Sequence, residues 1–383
     1  MANPKILIIT NYGHGGVESM LKLFLKYVNF KKSDISLACY APYSIYPELS
    51  VSLRNVLKKK PKLKIDRHLG YKRYLIGTFL PEFEFNHHNN AIWKKIINEY
   101  DKFYNISGTI ITSYSLYKNK KFFFNWVASP VHGDRYIRIS KLNFFRRIFD
   151  KVFIEKRIKS IEKEIVNYKK QKLYALSQYT KKQLEMKLYS KNSIKILRYG
   201  INNKIFFSNR NFNTKKINIG FIGRFDDPRK NTKFLINIFN NLKDNLKLDV
   251  ELFLIGSIEK NLKGKYINNH EFISDPKRLN LFYNKIDFFI VSSYQEGLCI
   301  SALEAMSCGC IVLSTKCHGT EEYLSDSRAG YYLENNVEIF TKKIKDLSNN
   351  NTKKKMISNN AINRINKKYS EESFKIKLEK IYI

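Results

Sequence analysis

The chain has 383 residues, 43% of them hydrophobic, with 69 Lys and Arg against 34 Asp and Glu, a formal net charge of +35. This length and apolar fraction are typical of two packed globular domains and exclude a disordered or fibrous chain. Five cysteines are too few for a disulfide framework, and no apolar run reaches the roughly 20 residues that span a bilayer. The amino end lacks the pattern of a signal peptide, so we expect a cytoplasmic protein.

The first predicted elements are a short strand, a glycine-rich loop and a helix. Residues 5–10 are apolar, glycines interrupt residues 11–16, and apolar side chains then recur every three or four positions over residues 17–28. The same unit recurs at residues 217–242. Further short apolar runs, separated by segments of helix length, follow at 250–255, 288–292 and 311–314. This pattern predicts an α/β fold of two doubly wound, Rossmann-like domains with parallel sheets.

A polar, Asn-rich stretch at residues 189–192 marks the predicted domain boundary. We assign residues 1–190 to the first domain and residues 191–368 to the second. The tail, residues 369–383, carries an apolar stripe among lysines and glutamates. We expect it to form a helix that docks back onto the first domain.

Positive charge is concentrated in the first half of the chain, where residues 1–190 hold 36 basic and 14 acidic side chains. The densest stretch is residues 135–172, with 13 basic and 4 acidic side chains and interleaved aromatic residues. An amphipathic helix of this composition can lie on an anionic membrane surface. A solvated basic face whose aromatic side chains pack into the first domain is the alternative, and the sequence leaves both open.

The segment 292–310 carries the most chemical information. It follows a predicted buried strand and opens a helix that Gly309 can end, a position where doubly wound sheets bind ligands. We expect Glu296 on the loop and Glu304 in the first turns of the helix. Their spacing of eight residues is about 80° on a helical projection, so two carboxylates could accept hydrogen bonds from neighbouring sugar hydroxyls. Two surface glutamates on an ordinary helix would show the same spacing.

This segment resembles the Glu-x7-Glu motif of the family 4 retaining glycosyltransferases of GT-B architecture, the glycosyl transferases group 1. Five other segments resemble the family in the same order: Gly15-Gly16-Val17-Glu18, Ser177 with Thr180, Tyr199-Gly200-Ile201-Asn202 with Phe206, Gly220-Phe221-Ile222-Gly223-Arg224-Phe225 with Lys230, and Gly319-Thr320-Glu321-Glu322 through Gly330-Tyr331. Asn231 departs from the family, which usually has Gly after the Lys. The resemblance implies two such domains facing each other across a cleft.

The resemblance also implies a nucleotide-diphosphate sugar, most simply a UDP-sugar, as the donor substrate. Arg224 and Lys230 would stabilise the departing diphosphate as a fork and a point charge. Glu296 would hold the transferred sugar and Glu304 the ribose. The full set of predicted donor-binding residues is Gly15, Gly16, Gly223, Arg224, Lys230, Glu296, Gly297, Leu298, Cys299, Ile300 and Glu304.

Four residues are predicted to be catalytic: His132, Arg224, Lys230 and Glu296. His132 matches the family's active-site histidine and would contact the donor sugar. The resemblance implies front-face transfer without a protein nucleophile, so we nominate none. Because the chain contains no Asp-x-Asp, we expect metal-independent catalysis with no cofactor and no metal site.

We therefore predict a retaining hexosyltransferase that extends a glycan acceptor, linked to a polyprenyl diphosphate lipid, in bacterial surface-polysaccharide assembly such as O-antigen, lipopolysaccharide or capsule. The predicted location is the cytoplasm, with peripheral attachment at the inner face of the membrane through residues 135–172, and no nucleic-acid partner. Two alternatives stay open: a non-catalytic basic module that binds polyanions, and an inactive GT-B relative.

Overall fold

The computed structural model describes residues 3–13, 15–53, 55, 60–81, 90–131, 135–188, 190–210, 216–256 and 264–382. The chain divides into two compact units, Met1–Leu197 and Arg198–Ile383. The division falls at Leu197 rather than at residue 190, and it groups the terminal helix with the second unit. The predicted docking of residues 369–383 onto the first domain stays a prediction.

Within its described residues, the first unit contains an eight-stranded sheet flanked by helices. The strands are β1 (Ile6–Thr10), β2 (Ile35–Tyr40), β3 (Leu63–His68), β4 (Tyr71–Ile76), β5 (Lys102–Thr109), β6 (Phe123–Ser129), β7 (Gln171–Ala175) and β8 (Lys195–Ile196). Their order is β3-β4-β2-β1-β5-β6-β7-β8, with β3 antiparallel to β4 and the other pairs parallel. The α-helices are α1 (Gly16–Tyr27), α2 (Ala91–Asn98), α3 (Tyr114–Lys118), α4 (Arg135–Arg138), α5 (Phe144–Phe149), α6 (Glu155–Val166) and α7 (Gln178–Lys182).

The described residues of the second unit form a six-stranded sheet in which all pairs are parallel. Its strands are β9 (Ile217–Ile222), β10 (Val250–Ile255), β11 (Ile267–His270), β12 (Phe288–Val291), β13 (Ile311–Thr315) and β14 (Tyr331–Leu333). The order β11-β10-β9-β12-β13-β14 is that of a Rossmann fold. The helices are α8 (Thr232–Asn240), α9 (Pro276–Lys285), α10 (Ile300–Ser307), α11 (Glu321–Leu324), α12 (Val337–Ser348), α13 (Asn351–Lys368) and α14 (Glu371–Tyr382).

Continuous apolar strands and amphipathic helices produce these layers. Every residue of β12 and β13 is buried, as expected for parallel strands covered by helices on both faces. Phe234, Leu235, Ile238 and Phe239 of α8 pack against the same core. The predicted doubly wound α/β class is therefore confirmed for both units.

The terminal helix α14 packs within the second unit. Ile201 donates its backbone N–H to the Tyr369 carbonyl at 2.7 Å and accepts from Glu371 N–H at 2.9 Å. A side chain at Gly200 would approach the Glu371 Cα within 2.7 Å, which explains the glycine there. The Tyr199-Gly200-Ile201-Asn202 segment therefore fastens the end of the chain.

A continuous helical segment, α5 followed by a π-helical turn at Asp150–Ile154 and α6, binds Val131 and Arg135 through two buried carboxylates. Asp150 accepts two hydrogen bonds from the Arg135 guanidinium at 2.7 and 2.5 Å, and both side chains are almost fully buried. Glu162 is also buried and accepts the Val131 N–H at 2.6 Å. Val131 and Arg135 are thus held on either side of residues 132–134.

The aromatic side chains at the start of this segment do not pack into the first domain. Phe145 is 82% exposed and Phe153 is 61% exposed, whereas Ile158 and Ile161 of α6 are buried. The interpretation of residues 135–172 as a basic face with its aromatic residues in the core is therefore wrong for the first part of the segment. Among the described residues, no helix is long and apolar enough to cross a bilayer.

The buried ion pair generates a stability prediction. Asp150→Ala leaves the Arg135 charge buried without its partner, and we expect it to destabilise the first unit by about 3–5 kcal/mol. The double variant Arg135→Met/Asp150→Leu should recover most of this loss. Both tryptophans, Trp93 and Trp126, are buried in the first unit, so fluorescence during urea unfolding reports that unit alone.

Glu164→Ala is the matched control for this experiment, because Glu164 lies on the same helical segment in an exposed pair with Lys118 at 3.9 Å. We expect it to change the free energy of unfolding by less than about 1 kcal/mol. Equal destabilisation by Asp150→Ala and Glu164→Ala would contradict the importance of the buried pair.

Candidate active site

The candidate site lies where the strand order of the second sheet reverses. β9 and β12 are neighbours in the sheet, but the chain leaves β9 toward β10 on one side and reaches β13 from β12 on the other. Ligands of doubly wound sheets bind outside the carboxyl ends of the strands at such a point. The loops that follow β9 and β12 carry Arg224, Lys230 and Glu296, so three predicted site residues share this edge.

Lys230 and Glu296 form the central contact of the site. The Lys230 Nζ lies 2.7 Å from the Glu296 Oε1, and both side chains are largely buried. Ser293 donates its hydroxyl to the same Glu296 oxygen at 2.6 Å. Residues that are 66 positions apart in the sequence are therefore brought together by the pairing of β9 with β12.

Both members of the pair are held in their charged forms. Burial opposes the charge on Lys230, but the Glu296 carboxylate outweighs it and raises the pKa of the ammonium above its usual value. Burial likewise opposes the Glu296 charge, but Lys230 and Ser293 leave the pKa of that carboxyl below its usual range. The site thus keeps a buried cation next to a buried anion at neutral pH.

Arg224 is the exposed cation of the site, with 64% of its side chain accessible. Its Nη2 contacts the Asp227 Oδ2 at 2.8 Å, and Asp227 also accepts the Arg229 guanidinium at 3.0 and 2.6 Å. Burial favours the neutral acid, but Arg229 and Arg224 together hold the pKa of Asp227 well below its usual range. Asp227 therefore orients two arginines in the loop after β9.

The two loops are fastened to each other through backbone groups. The Arg229 carbonyl accepts the Tyr294 N–H at 2.8 Å, and the Lys230 carbonyl accepts the Ser292 hydroxyl at 2.7 Å. Asn231, the next residue, has a φ of 47°. Asparagine tolerates this left-handed conformation better than most residues, which accounts for Asn where the family usually has Gly. These bonds fix where the Lys230 side chain leaves the backbone.

Close packing accounts for the predicted Gly223, because a Cβ there would lie 2.9 Å from the Phe221 ring. The Gly223 N–H donates to the Ile255 carbonyl, and a Cβ at the neighbouring Gly256 would lie 2.0 Å from the Gly223 carbonyl oxygen. A Cβ at Gly319 would lie 2.4 Å from the Glu296 carbonyl oxygen. The loops that carry Lys230 and Glu296 are therefore packed against neighbouring strand ends without room for side chains.

The α10 helix supplies the remaining predicted donor-binding residues. Cys299 precedes it in the left-handed conformation, with a φ of 61°, and the helix begins at Ile300. The Leu298 carbonyl accepts the Tyr323 hydroxyl at 2.8 Å, which fixes the segment that also contains Gly297. Gly309 ends the helix with a φ of 74°, as predicted.

Glu296 precedes the helix and Glu304 lies within it, as predicted, so the helical projection does not describe how the two residues are related. The Glu296 N–H donates to the Cys317 carbonyl at 2.9 Å, in extended backbone. Glu304 lies within α10 and accepts the Tyr283 hydroxyl at 2.8 Å. The two carboxylates thus have separate partners, and the sheet edge, rather than one helix face, determines their positions.

The Glu304 carboxyl of the site has a raised pKa. Burial raises the pKa of its carboxyl to about 7, against an ordinary value of 4.5, and the hydrogen bond from Tyr283 lowers it only in part. A carboxylate in this environment is favoured by a ligand that donates hydroxyl hydrogen bonds to it. Tyr283 was absent from the predicted site, since a tyrosine within an amphipathic helix carries no sequence signal beyond a core position.

Asp227 and Ser293 were likewise absent from the predicted site. Asp227 precedes Pro228 and caps the short turn Pro228–Lys230 by accepting the Arg229 N–H, so its position before a proline was a usable signal. Ser293 carries no comparable signal, because nothing in the sequence distinguishes it from Ser292. Among the residues that the structure describes, no cluster of three or more His, Cys, Asp or Glu could hold a metal ion.

Gly15 and Gly16, two of the predicted site residues of the first unit, lie at the corresponding edge of its sheet. Gly15 follows β1 with a φ of 115°, and Gly16 begins α1. The left-handed conformation at Gly15 explains why glycine occupies that position. Asn11 accepts the Gly108 N–H at 2.7 Å, which joins the loops after β1 and β5. His132 lies outside the described residues.

Residues 202–364 match the family model of glycosyl transferases group 1. Over this span the chain resembles that family. The matched residues contain Arg224, Lys230, Glu296 and Glu304, so the matched segment lies within the unit in which the site is built.

Three curated relatives are similar to the chain. Two are uncharacterised glycosyltransferases of Methanocaldococcus jannaschii, one 28% identical over 55% of this chain and 59% of that protein, the other 25% identical over 100% of this chain and 99% of that protein. The third is the capsular polysaccharide biosynthesis glycosyltransferase CapM of Staphylococcus aureus, 23% identical over 51% of this chain and 56% of CapM. The chain thus spans less than two thirds of the length of two of these relatives.

Among solved structures, HepE of Anabaena in complex with UDP-glucose has a TM-score of 0.68 at 13% identity, with 99% of each chain covered. This likeness shows the fold: both units have the architecture of GT-B glycosyltransferases.

The raised pKa of Glu304 predicts how the stability of the second unit depends on pH. Between the ordinary pKa and about 7, the folded chain holds a proton that the unfolded chain releases, so this group favours folding less as pH rises. Glu304→Gln should remove this decrease between about pH 5 and about pH 8. We would measure urea unfolding by circular dichroism, which reports the second unit as well.

Glu271→Gln, an exposed glutamate of the second unit, is the matched control and should keep the pH dependence of the unmodified chain. The tryptophan transition of the first unit should be the same in all three proteins. If Glu304→Gln retained the full decrease in stability toward high pH, Glu304 would not be the titrating group.

Proposed function

We propose that this chain is a retaining glycosyltransferase that transfers a sugar from a UDP-sugar to a glycan acceptor. The observation that carries the proposal is the Lys230–Glu296 pair, buried at the strand-order reversal of a group 1 domain. HepE, which has the same fold, binds UDP-glucose, and this supports a UDP-sugar donor.

The cations of the site suit a departing diphosphate. Transfer breaks the bond between the sugar and the diphosphate, and negative charge grows on the diphosphate oxygens as it breaks. Lys230, held charged by Glu296, and the exposed Arg224 would stabilise this charge more in the transition state than in the ground state. Glu296 positions Lys230 and would hold the transferred sugar through its second carboxylate oxygen.

The other predicted residues would bind the ends of the donor. Glu304 would accept hydrogen bonds from the ribose hydroxyls, and the backbone from Gly297 to Ile300 would bind the phosphates at the start of α10. Gly223, Gly15 and Gly16 would let the backbone approach the donor closely, and His132 would contact the transferred sugar. Because Lys230 and Arg224 supply the positive charge, we propose that transfer needs no metal ion and no cofactor.

We propose that the acceptor is a glycan on a polyprenyl diphosphate lipid and that the product enters a bacterial surface polysaccharide such as O-antigen, lipopolysaccharide or capsule. CapM is a glycosyltransferase of capsular polysaccharide biosynthesis, which supports a surface polysaccharide as the product, and the net charge of +35 suits an anionic acceptor. Retention follows if the departing phosphate oxygen takes the acceptor proton on the face where the new bond forms, since the site then needs no protein nucleophile.

Donor binding is tested by thermal unfolding with UDP-, GDP- and ADP-sugars. We expect a UDP-sugar to raise the stability by RT ln(1 + [L]/Kd), about 2.7 kcal/mol at a hundredfold excess over Kd. Arg224→Ala should weaken this binding about tenfold or more without unfolding the chain, because the Arg224 side chain is exposed.

Arg328→Ala is the matched control, since Arg328 is an exposed arginine of the same unit that pairs with Asp326 at 3.0 Å. It should bind the UDP-sugar like the unmodified chain. Stabilisation by none of the three nucleotide sugars, or equal loss in both variants, would refute the proposed donor site.

Catalysis is tested by sugar transfer in the presence of a chelator. We expect full activity with EDTA and a product whose anomeric configuration, read by proton NMR coupling, equals that of the donor. Lys230→Met should reduce kcat by about 10²–10³, the usual effect of removing one transition-state charge contact. Lys233→Met, an exposed lysine at the start of α8, should keep full activity.

The double variant Lys230→Met/Glu296→Gln is the control for misfolding, because it leaves no buried carboxylate without its ion-pair partner. It should show the circular dichroism of the unmodified chain and remain inactive. An inverted product, loss of activity with EDTA, or full activity in Lys230→Met would each contradict the proposed mechanism.

A further inference from the structure

The first unit exposes a contiguous set of large apolar side chains on one helical segment. We call it the apolar face, and it consists of Leu142, Phe144, Phe145, Ile148, Phe149, Val152 and Phe153, each at least 38% exposed. The residues from Phe144 to Phe153 recur at positions i, i+1, i+4, i+5, i+8 and i+9, which places them on one side of a helix. Exposed apolar patches of this kind mark interaction sites.

The apolar face is not an unfilled part of the core. The same segment turns a second set of side chains into the first unit, where Ile154, Ile158, Ile161 and Ile165 are buried. The segment is also anchored by the buried Arg135–Asp150 ion pair. The buried side of the segment therefore packs against the core of the first unit. The apolar face lies on its other side and is left exposed by the described residues of that unit.

Charge around the apolar face is mostly positive. From residue 135 to residue 159 the acidic residues are Asp150, whose carboxylate is buried against Arg135, and the half-buried Glu155. Arg147 and Lys151 are exposed within the face, and Lys156, Arg157 and Lys159 are exposed on the next turns. The Arg146 guanidinium lies 5.6 Å from the centre of the Phe149 ring. The surface thus combines aromatic and aliphatic side chains with a rim of cations.

We propose that the apolar face docks this protein onto an anionic lipid membrane, with the phenylalanines in the interface and the arginines and lysines on the lipid phosphates. A membrane fits both properties of the surface, because lipids offer apolar chains beneath negative headgroups. A polyanion in water would use the cations and leave the phenylalanines exposed. The inference deepens the proposed function, since it would bring the enzyme to a lipid-linked acceptor, but membrane binding can be measured without any acceptor.

The test is flotation of the full chain with vesicles of phosphatidylcholine, with and without added phosphatidylglycerol. We expect binding to the anionic vesicles that decreases with salt. The triple variant Phe144→Ser/Phe145→Ser/Phe153→Ser should reduce this binding about tenfold or more, and Arg147→Glu/Lys151→Glu should remove the preference for phosphatidylglycerol. All five side chains are exposed, so both variants should keep the tryptophan unfolding transition of the unmodified chain.

The matched control is Phe122→Ser/Phe272→Ser/Leu281→Ser, which removes three exposed apolar side chains elsewhere in the chain and should bind vesicles normally. Vesicle binding that is unchanged in the phenylalanine variant, or equally reduced in the control, would overturn the docking surface. Binding that heparin abolishes while the phenylalanine variant binds normally would identify a polyanion site and also overturn it.

These experiments test the proposed function and the docking surface independently. UDP-sugar stabilisation should be the same in the phenylalanine variant and the unmodified chain, because none of the three exposed phenylalanines belongs to the proposed donor site. Vesicle binding by a chain that no nucleotide sugar stabilises would refute the proposed donor and support the docking surface. Donor binding by a chain that ignores anionic vesicles would refute the docking surface alone.

Discussion

The arrangement of the candidate site depends on one constraint, the burial of the Lys230 ammonium against the Glu296 carboxylate. Neither charge could be buried alone, because desolvation would favour its neutral form. Together they remain ionised, and the Ser293 hydroxyl and the backbone bonds between the two loops fix their geometry. The site therefore presents a cation whose position and charge are set before any ligand arrives, which is the condition for electrostatic catalysis.

The sequence was sufficient to predict the fold class and the location of the site. Strands such as Ile217–Ile222 and Phe288–Val291 are covered on both sides, so they read as continuous apolar runs with helical patterns between them. The first unit was harder to read. Tyr71–Ile76 begins with exposed and basic residues, and the antiparallel Leu63–His68 is largely exposed, so neither shows a buried-strand signal.

The partners of the site residues could not be predicted, because they depend on which strands are neighbours. Lys230 meets Glu296 only after the strands that precede them pair, and Glu304 meets Tyr283 only after two helices pack. Helix periodicity related the two glutamates incorrectly, since a left-handed residue, Cys299, separates them and starts the helix later. The exposure of Phe145 could not be predicted either, because the sequence pattern of an apolar helix face is the same whether that face packs against a core or lies in solvent.

The strand order of the second unit has a consequence for how this unit folds. Its first strand, Ile217–Ile222, ends up in the middle of the sheet, paired on one side with Val250–Ile255 and on the other with Phe288–Val291. The pairing with Phe288–Val291 joins strands that are far apart in the sequence. Closing this long loop costs conformational entropy before apolar surface is buried, and such non-local contacts make folding slow. During synthesis, the central strand must therefore wait for a partner made much later, with one edge open to pairing with other chains.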